Sequence, residues 1–175
     1  MSSTPRVPSA VPGEPATFAS VFAHRPDLAR PFGRLYATLW SDGIVSQALK
    51  ETARMRNARV TDCGFCKRVR FAGAREAGLD EDMVAQIVDG YEASGLSAEQ
   101  KLVLRFTDAF LDPPHTADAA LAAEMSAMFS PAEVVELGLA LAMFLGMAKV
   151  LISLGTEPEQ MDTTILPTPA LAGRR

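Results

Sequence analysis

The sequence predicts an all-α protein, and three of its features support that fold class. Between residues 17 and 157, apolar residues recur at the three- and four-residue spacing of amphipathic helices. Strand signals are weak there, because β-branched residues are few and no stretch alternates between apolar and polar residues. Serine, aspartate and glycine also stand at positions typical of helix termini. Hydrophobic residues make up 48% of the chain and charged residues 22%, which is usual for a globular domain.

The chain is predicted to hold one domain between two irregular ends. Residues 1–16 contain four prolines among small residues, so we predict a disordered arm. Residues 17–157 are predicted to form the folded domain. Residues 158–175 contain three further prolines and are predicted to form an irregular C-terminal tail.

Seven helices are predicted along this domain. The first ends before Ser41-Asp42-Gly43, and Thr61-Asp62 ends the second. Gly78 ends the third, because glycine readily terminates a helix. Asp80 is a suitable N-cap for the fourth. Caps included, the predicted helices span about 28–40, 44–60, 64–77, 80–91, 97–112, 116–129 and 130–154.

The last three helices have the clearest terminal signals. Ser97-Ala98-Glu99-Gln100 is a capping box that opens the fifth helix, and Pro113-Pro114 ends that helix. Thr116 is predicted to cap the sixth. Ser130-Pro131-Ala132-Glu133 places a serine cap, a proline and a glutamate in the order typical of a helix start, and Gly155 ends the seventh.

The seventh predicted helix is apolar on nearly all sides, so we expect it to form the central core and also to pack against another subunit. No apolar run reaches 18 uninterrupted residues, and the N-terminus lacks a basic region followed by an apolar stretch. We therefore predict neither a membrane span nor a signal peptide. The net charge of −4 gives no overall attraction to nucleic acid.

The chain has two cysteines, and they stand together in Cys63-Gly64-Phe65-Cys66. On one helical turn their Cα atoms would lie roughly 5 Å apart, within the ~4.4–6.8 Å range of disulfides. A disulfide that closes so short a loop would stabilise the fold little, which favours a reactive pair over a structural one. Without a signal peptide, such a dithiol is expected in the cytoplasm, as a catalytic, redox-sensing or metal-binding group.

Basic residues are concentrated around these cysteines. Eight of the 17 lysines and arginines lie between Lys50 and Arg75. Neighbouring cations favour the thiolate, which is the nucleophilic form of cysteine. Arg70 follows Cys66 by four residues, so on a continuous helix it would share the same face and could stabilise the thiolate. Glu51 precedes Cys63 by twelve residues and would act as a proton relay if it were buried beside the dithiol.

Glu51, the eleven residues after it and the Cys63–Cys66 pair resemble a motif of one protein family. That family is the alkylhydroperoxidase D-like branch of the carboxymuconolactone decarboxylase superfamily. Residues 54–58, 74–79, 106–109 and 129–133, and the helix end at 154–158, are also similar to its members. The likeness covers roughly residues 20–158.

The resemblance implies a single-domain helical bundle of about seven or eight helices that assembles as a dimer, trimer or hexamer. It also implies a thiol-dependent peroxidase that reduces organic hydroperoxides with electrons from a dithiol reductant or adaptor protein. Cys66 would attack the peroxide, Cys63 would resolve the sulfenic acid into a disulfide, and Glu51 would belong to the proton relay. Neither a cofactor nor a metal is implied.

The sequence departs from the family at the histidine expected four residues after the second cysteine, where Arg70 stands. Arginine stays protonated at physiological pH, so it cannot relay a proton as histidine can. We expect it to activate a thiolate by its charge, held by a forked pair with Glu51. The chain's histidines, His24 and His115, lie far from the motif in sequence and are interpreted as loop residues without a catalytic role.

Two alternative functions follow from this departure. A non-redox enzyme of the superfamily would use Glu51 and Arg70 on a small carboxylate substrate. A redox-sensing oligomer would use the dithiol without turnover. We interpret three aromatic residues ahead of the motif, Phe32, Tyr36 and Trp40, as core residues rather than substrate contacts.

Overall fold

The computed structural model describes residues 4–112, 118–158 and 160–171. In chain order its elements are α1 (Phe18–Phe22), α2 (Pro26–Ser41), α3 (Gln47–Val60), α4 (Gly64–Arg68), β1 (Val69–Phe71), α5 (Ala72–Glu76), α6 (Glu81–Ala85), a 3-10 turn (Tyr91–Ala93), α7 (Ala98–Leu111), α8 (Ala119–Met128), α9 (Pro131–Leu154) and β2 (Thr164–Leu166). The predicted all-α class is confirmed, since the strands of the described residues are two segments of three residues each.

Helix α3 lies at the centre of the fold and packs against α7, α9 and α5. Nine of its 14 residues are buried, and several of these are polar, so they require partners inside the protein. Ser46 caps its N-terminus through a bond from the Leu49 amide. Lys50 is fully buried, and its ammonium group donates to the Leu39 carbonyl (2.6 Å) and to Glu136 on α9 (3.1 Å).

Most predicted helix termini are confirmed. Ser97 and Gln100 form the capping box of α7, and Ser130 and Glu133 form that of α9. Gly155 ends α9 in the left-handed conformation, with φ 63°. Asp118 caps α8. The proposed cap Thr116 and the terminator Pro113-Pro114 lie outside the described residues.

The prediction of one continuous helix over 64–77 is wrong. Helix α4 ends at Arg68, because Val69 adopts an extended conformation with φ −83° and ψ 140°. Strand β1 then pairs in parallel with β2, which comes from the C-terminal segment expected to be irregular. The register places Val69, Arg70 and Phe71 opposite Thr164, Ile165 and Leu166. Two other elements also differ from the prediction: α1 was not expected, and α6 ends at Ala85, short of the predicted 91.

Helix α9 has one face in the core and another on the surface. Leu137, Leu141 and Phe144 are buried, whereas Val135 and Leu139 are 62% and 57% exposed. Within the described ranges it is the one helix long and apolar enough to cross a membrane, and 39% of its most apolar window is buried. Core helices of globular proteins meet the same criteria, so length and composition are weak evidence of a membrane span.

The described part of the N-terminal arm lacks regular structure and contacts the C-terminal end of α9. The Arg6 amide donates to the Leu154 carbonyl (2.9 Å). The Arg6 guanidinium donates to the carbonyls of Ile152 (2.9 Å) and Ser153 (2.6 Å). These bonds supply donors to carbonyl groups of the last helical turn, which lack the usual bond from an amide four residues later.

Candidate functional site

The two cysteines occupy the first turn of α4. Asp62 ends the preceding loop in a left-handed conformation (φ 55°) and pairs with Lys67. This turn of the backbone makes Cys63 the N-cap of α4 and places Cys66 one turn later. The two residues are joined by a disulfide, and their Cα atoms are 5.2 Å apart. The spacing predicted from the sequence is therefore confirmed.

The two cysteines differ in their exposure to solvent. Cys63 is fully buried, whereas Cys66 is partly exposed. The Cys66 amide donates a hydrogen bond to Cys63 Sγ at 3.2 Å. A thiolate accepts such a bond more strongly than a thiol, so the contact favours the charged form of Cys63 after reduction. An incoming reagent has easier access to Cys66.

Glu51 is buried on α3, and Arg54 holds it in a forked ion pair. Arg54 Nε donates to Glu51 Oε2 at 2.7 Å, and Arg54 Nη2 donates to Oε1 at 2.6 Å. Burial alone would lower the pKa of Arg54, but the Glu51 carboxylate outweighs it and raises that pKa above its usual value. Arg54 therefore stays charged inside the fold.

Arg54 connects this buried pair to the segment that carries the dithiol. Its Nη1 donates to the carbonyl of Cys66 at 2.9 Å, and its Nη2 donates to the carbonyl of Val69 at 2.5 Å. The guanidinium also lies over the ring of Phe71, 5.2 Å from its centroid. The sequence analysis counted Arg54 among the basic residues between Lys50 and Arg75 without singling it out, although its three-residue spacing from Glu51 on one helix was visible.

The forked pair expected between Glu51 and Arg70 is not formed. Arg70 lies on β1, and its Nε donates to Glu81 at 3.0 Å. Its Nη1 donates to the carbonyls of Lys67 (2.8 Å) and Val69 (3.0 Å). The prediction failed because α4 ends before Arg70, so the helical face assumed for it does not exist. Glu51 is thus paired with Arg54 and Arg70 with Glu81, rather than with each other.

A second carboxylate lies beside the dithiol, and sequence reasoning did not single it out. Glu157 follows the end of α9 and accepts a hydrogen bond from the Gly64 amide, next to Cys63. The two residues are 93 positions apart, so spacing could not reveal this contact. His24 is exposed, with its ring nitrogen 3.0 Å from the Pro8 carbonyl. His115 lies outside the described residues.

An apolar cavity of about 720 Å³ lies next to the apolar cluster that contains the dithiol, and neither cysteine is among the residues that line it. Phe18, Phe65, Met147 and Leu151 line it and also belong to the apolar cluster that encloses Cys63 and Cys66. The cavity is therefore continuous with the packing around the reactive pair.

Two aromatic residues that we interpreted as core residues line this cavity, and one of them, Tyr36, also packs against the main core cluster. Phe32 and Tyr36 face it, whereas Trp40 is fully buried in the core as expected. Burial raises the pKa of Tyr36 to about 12. Its phenol therefore keeps its proton at physiological pH and can donate a hydrogen bond.

Comparison with known proteins places this site in a family. The sequence model of the carboxymuconolactone decarboxylase family matches residues 26–109, from α2 to α7, a range that includes Glu51 and both cysteines. This region of the chain belongs to that family. The segments that supply Glu157 and β2 lie outside the matched range.

The sequence is also similar to two curated proteins. Two uncharacterised proteins from two strains of Mycobacterium tuberculosis are 32% identical to it over 112 residues. The alignment covers 64% of this chain and 39% of each relative, so the chain spans about two fifths of their length.

The fold is also similar to a crystal structure of a protein of unknown function from Agrobacterium tumefaciens, which has been proposed as the antioxidant defence protein AhpD. The TM-score is 0.69 and the identity 18%, with 83% of this chain and all of that chain covered. At this identity the comparison shows a shared fold.

Proposed function

We propose that the protein is a thiol-dependent peroxidase that reduces organic hydroperoxides through the Cys63–Cys66 pair. The observation that carries the proposal is the asymmetry of this pair. A partly exposed Cys66 stands one helical turn from a buried Cys63, at disulfide distance, beside an apolar cavity. Membership of the carboxymuconolactone decarboxylase family and the similarity to the proposed AhpD protein support a redox role.

The reaction proceeds in two steps. The Cys66 thiolate attacks the terminal oxygen of the hydroperoxide, the O–O bond breaks, and the alkoxide takes a proton to leave as an alcohol. Cys66 is then a sulfenic acid. The thiolate of Cys63 attacks Cys66 Sγ, and hydroxide leaves with a proton as water, which forms the disulfide.

The catalytic cycle closes with an external dithiol. Its thiolate attacks the sulfur of the partly exposed Cys66, and Cys63 leaves as a thiolate stabilised by the Cys66 amide. A second attack within the dithiol releases reduced protein and oxidised reductant. A small dithiol or one carried by an adaptor protein meets this requirement, and a reducing compartment such as the cytoplasm would supply it.

Arg54 replaces the missing histidine in part of its role. Its guanidinium binds the Cys66 carbonyl and brings a fixed positive charge to the turn that carries this cysteine. Glu51 has both oxygens bound by Arg54, so we assign it a positioning role that acts through Arg54. Without a histidine relay, protons reach the alkoxide from solvent.

Steady-state reduction of cumene hydroperoxide with dithiothreitol tests this proposal. Cys66→Ser is expected to lower turnover at least a hundredfold, because it removes the attacking thiolate. Cys63→Ser should retain one round of peroxide reduction and leave a sulfenic acid at Cys66 that dimedone traps.

Unchanged turnover in Cys66→Ser would refute the proposal. Disulfide formation in the wild-type protein without sustained turnover by dithiothreitol would also refute it, and would favour the redox-sensing alternative.

A further inference from the structure

The C-terminal segment forms one wall of the cavity beside the dithiol. Strand β2 pairs with β1, which directly follows the cysteine-bearing helix α4. Thr168 strengthens the attachment, because its hydroxyl accepts a hydrogen bond from the Gly73 amide at 2.8 Å. Leu166, Pro167 and Pro169 line the cavity together with residues of α1 and α2.

The two neighbouring side chains of this strand have different environments. Leu166 lines the cavity and packs against the main core cluster. Ile165 is 51% exposed and is absent from the cavity lining. This difference follows from strand geometry, in which successive side chains point to opposite faces. The chain thus offers a matched pair of apolar residues, one inside the cavity and one outside.

The cavity lining favours an apolar ligand. Of the side chains that line it, only Tyr36 and Arg30 are polar, and the others are aliphatic, aromatic or proline. A volume of about 720 Å³ accommodates a ligand far larger than hydrogen peroxide. Burial of a hydrocarbon group in such a site is favourable, whereas hydrogen peroxide has no apolar surface to bury.

We propose that the C-terminal strand β2, through Leu166, makes the site select hydroperoxides with a bulky apolar group over hydrogen peroxide. This inference rests on the peroxidase function proposed above. Strand β2 lies outside residues 26–109, which are the part of the chain that matches the family model. The proposed selectivity is therefore a feature of this chain's own C-terminal segment.

Binding of cumyl alcohol, the unreactive product of cumene hydroperoxide, tests whether Leu166 contributes to ligand binding, independently of peroxide reduction. The chain's single tryptophan, Trp40, reports on the cavity, because its ring lies 4.7 Å from that of Phe71 in the cavity wall. In a fluorescence titration, Leu166→Asp is expected to raise the Kd at least tenfold. Ile165→Asp, which places the same charge outside the cavity, should change it less than twofold.

The corresponding kinetic measurement is the ratio of kcat/KM for cumene hydroperoxide to that for hydrogen peroxide. The wild-type protein should favour cumene hydroperoxide, and Leu166→Asp should lower this ratio at least tenfold relative to Ile165→Asp. Leu166→Ala serves if the aspartate variant does not fold, and should lower the ratio at least threefold.

Equal effects of the substitutions at 165 and 166, or a wild-type preference for hydrogen peroxide, would overturn the inference while leaving the peroxidase function intact. A protein that binds cumyl alcohol in a Leu166-dependent manner but reduces neither peroxide would refute the peroxidase function. That result would leave the apolar site established.

Discussion

At the residue scale, the ion pair between Glu51 and Arg54 is the feature on which the site depends. Both side chains are buried, and Arg54 contributes two further hydrogen bonds to the chain between Cys66 and Val69. A buried ion pair is retained only when its remaining hydrogen-bonding groups are satisfied, as they are for this arginine. The pair therefore orders the turn that carries Cys66 as well as supplying charge.

Substitution of Arg54 is expected to destabilise the fold. Arg54→Met leaves the Glu51 carboxylate buried without its partner and should lower the free energy of unfolding by about 3–5 kcal/mol. Adding Glu51→Leu to the same chain should recover much of the loss, because no buried charge remains. Urea denaturation measures both changes.

The exposed pair between Arg105 and Glu124 provides the control. Arg105→Met should cost about 1 kcal/mol or less, because water already solvates both groups. A cost for Arg54→Met as small as that for Arg105→Met would contradict the structural role assigned to the buried pair.

Local sequence signals predicted part of this site. The spacing of Cys63 and Cys66 is a property of one turn, and the structure reproduces it. The predicted partner of Glu51 was wrong, because the prediction assumed that Arg70 lies on the helix of Cys66, which ends at Arg68. Glu157 could not be found at all, since only the folded chain brings it to Gly64.

At the element scale, the end of α9 shows how a local signal and a distant contact combine. Gly155 adopts a left-handed conformation that costs other residues energy. A Cβ atom at this position would also overlap the carbonyl oxygen of Thr4 in the N-terminal arm. The glycine thus ends the helix and makes room for the arm.

Gly155→Ala is expected to lower the free energy of unfolding by about 2 kcal/mol or more, because backbone strain and the overlap with Thr4 act together. Gly138→Ala within α9 is the matched control, since a Cβ there meets no atom within 4 Å. That variant should be more stable than the wild type by about 0.5–1 kcal/mol. Equal stabilities of the two variants would contradict this account of the helix end.

Helix caps were predictable and the strands were not, for the same physical reason. The signals at Ser97 and Ser130 act within three residues of the cap, so the sequence alone reveals them. Strand β1 exists because it pairs with residues about 95 positions later. No local preference of residues 69–71 indicates such a partner, since strand formation depends strongly on tertiary context.

At the scale of the whole molecule, the surface has an apolar groove between α2 and α9. Helix α9 was expected both to fill the core and to contact another subunit, and the core role is confirmed. Its outer face shares a groove of about 680 Å³ with α2. Leu28 and Leu35 on α2 and Leu139 on α9 line this groove and are more than half exposed. Exposed apolar side chains that form one contiguous groove are a candidate interface.

We expect this groove to be covered by a second copy of the chain, because such an interface would bury the remaining apolar face of α9. Size-exclusion chromatography with light scattering should give an oligomeric mass for the wild-type protein. Leu139→Glu should shift it to the monomer, while Val60→Glu, at a position 50% exposed outside the groove, should leave it unchanged. A monomeric wild-type protein at tens of micromolar concentration would contradict this expectation.

The central claim is that the Cys63–Cys66 pair reduces hydroperoxides, and a stoichiometric reaction tests it most directly. Fully reduced protein is mixed with one equivalent of cumene hydroperoxide without reductant, and free thiols and cumyl alcohol are counted. The account predicts that two thiols disappear for each alcohol formed, and that the oxidised protein carries a Cys63–Cys66 disulfide. Persistence of both thiols and of the peroxide would contradict it.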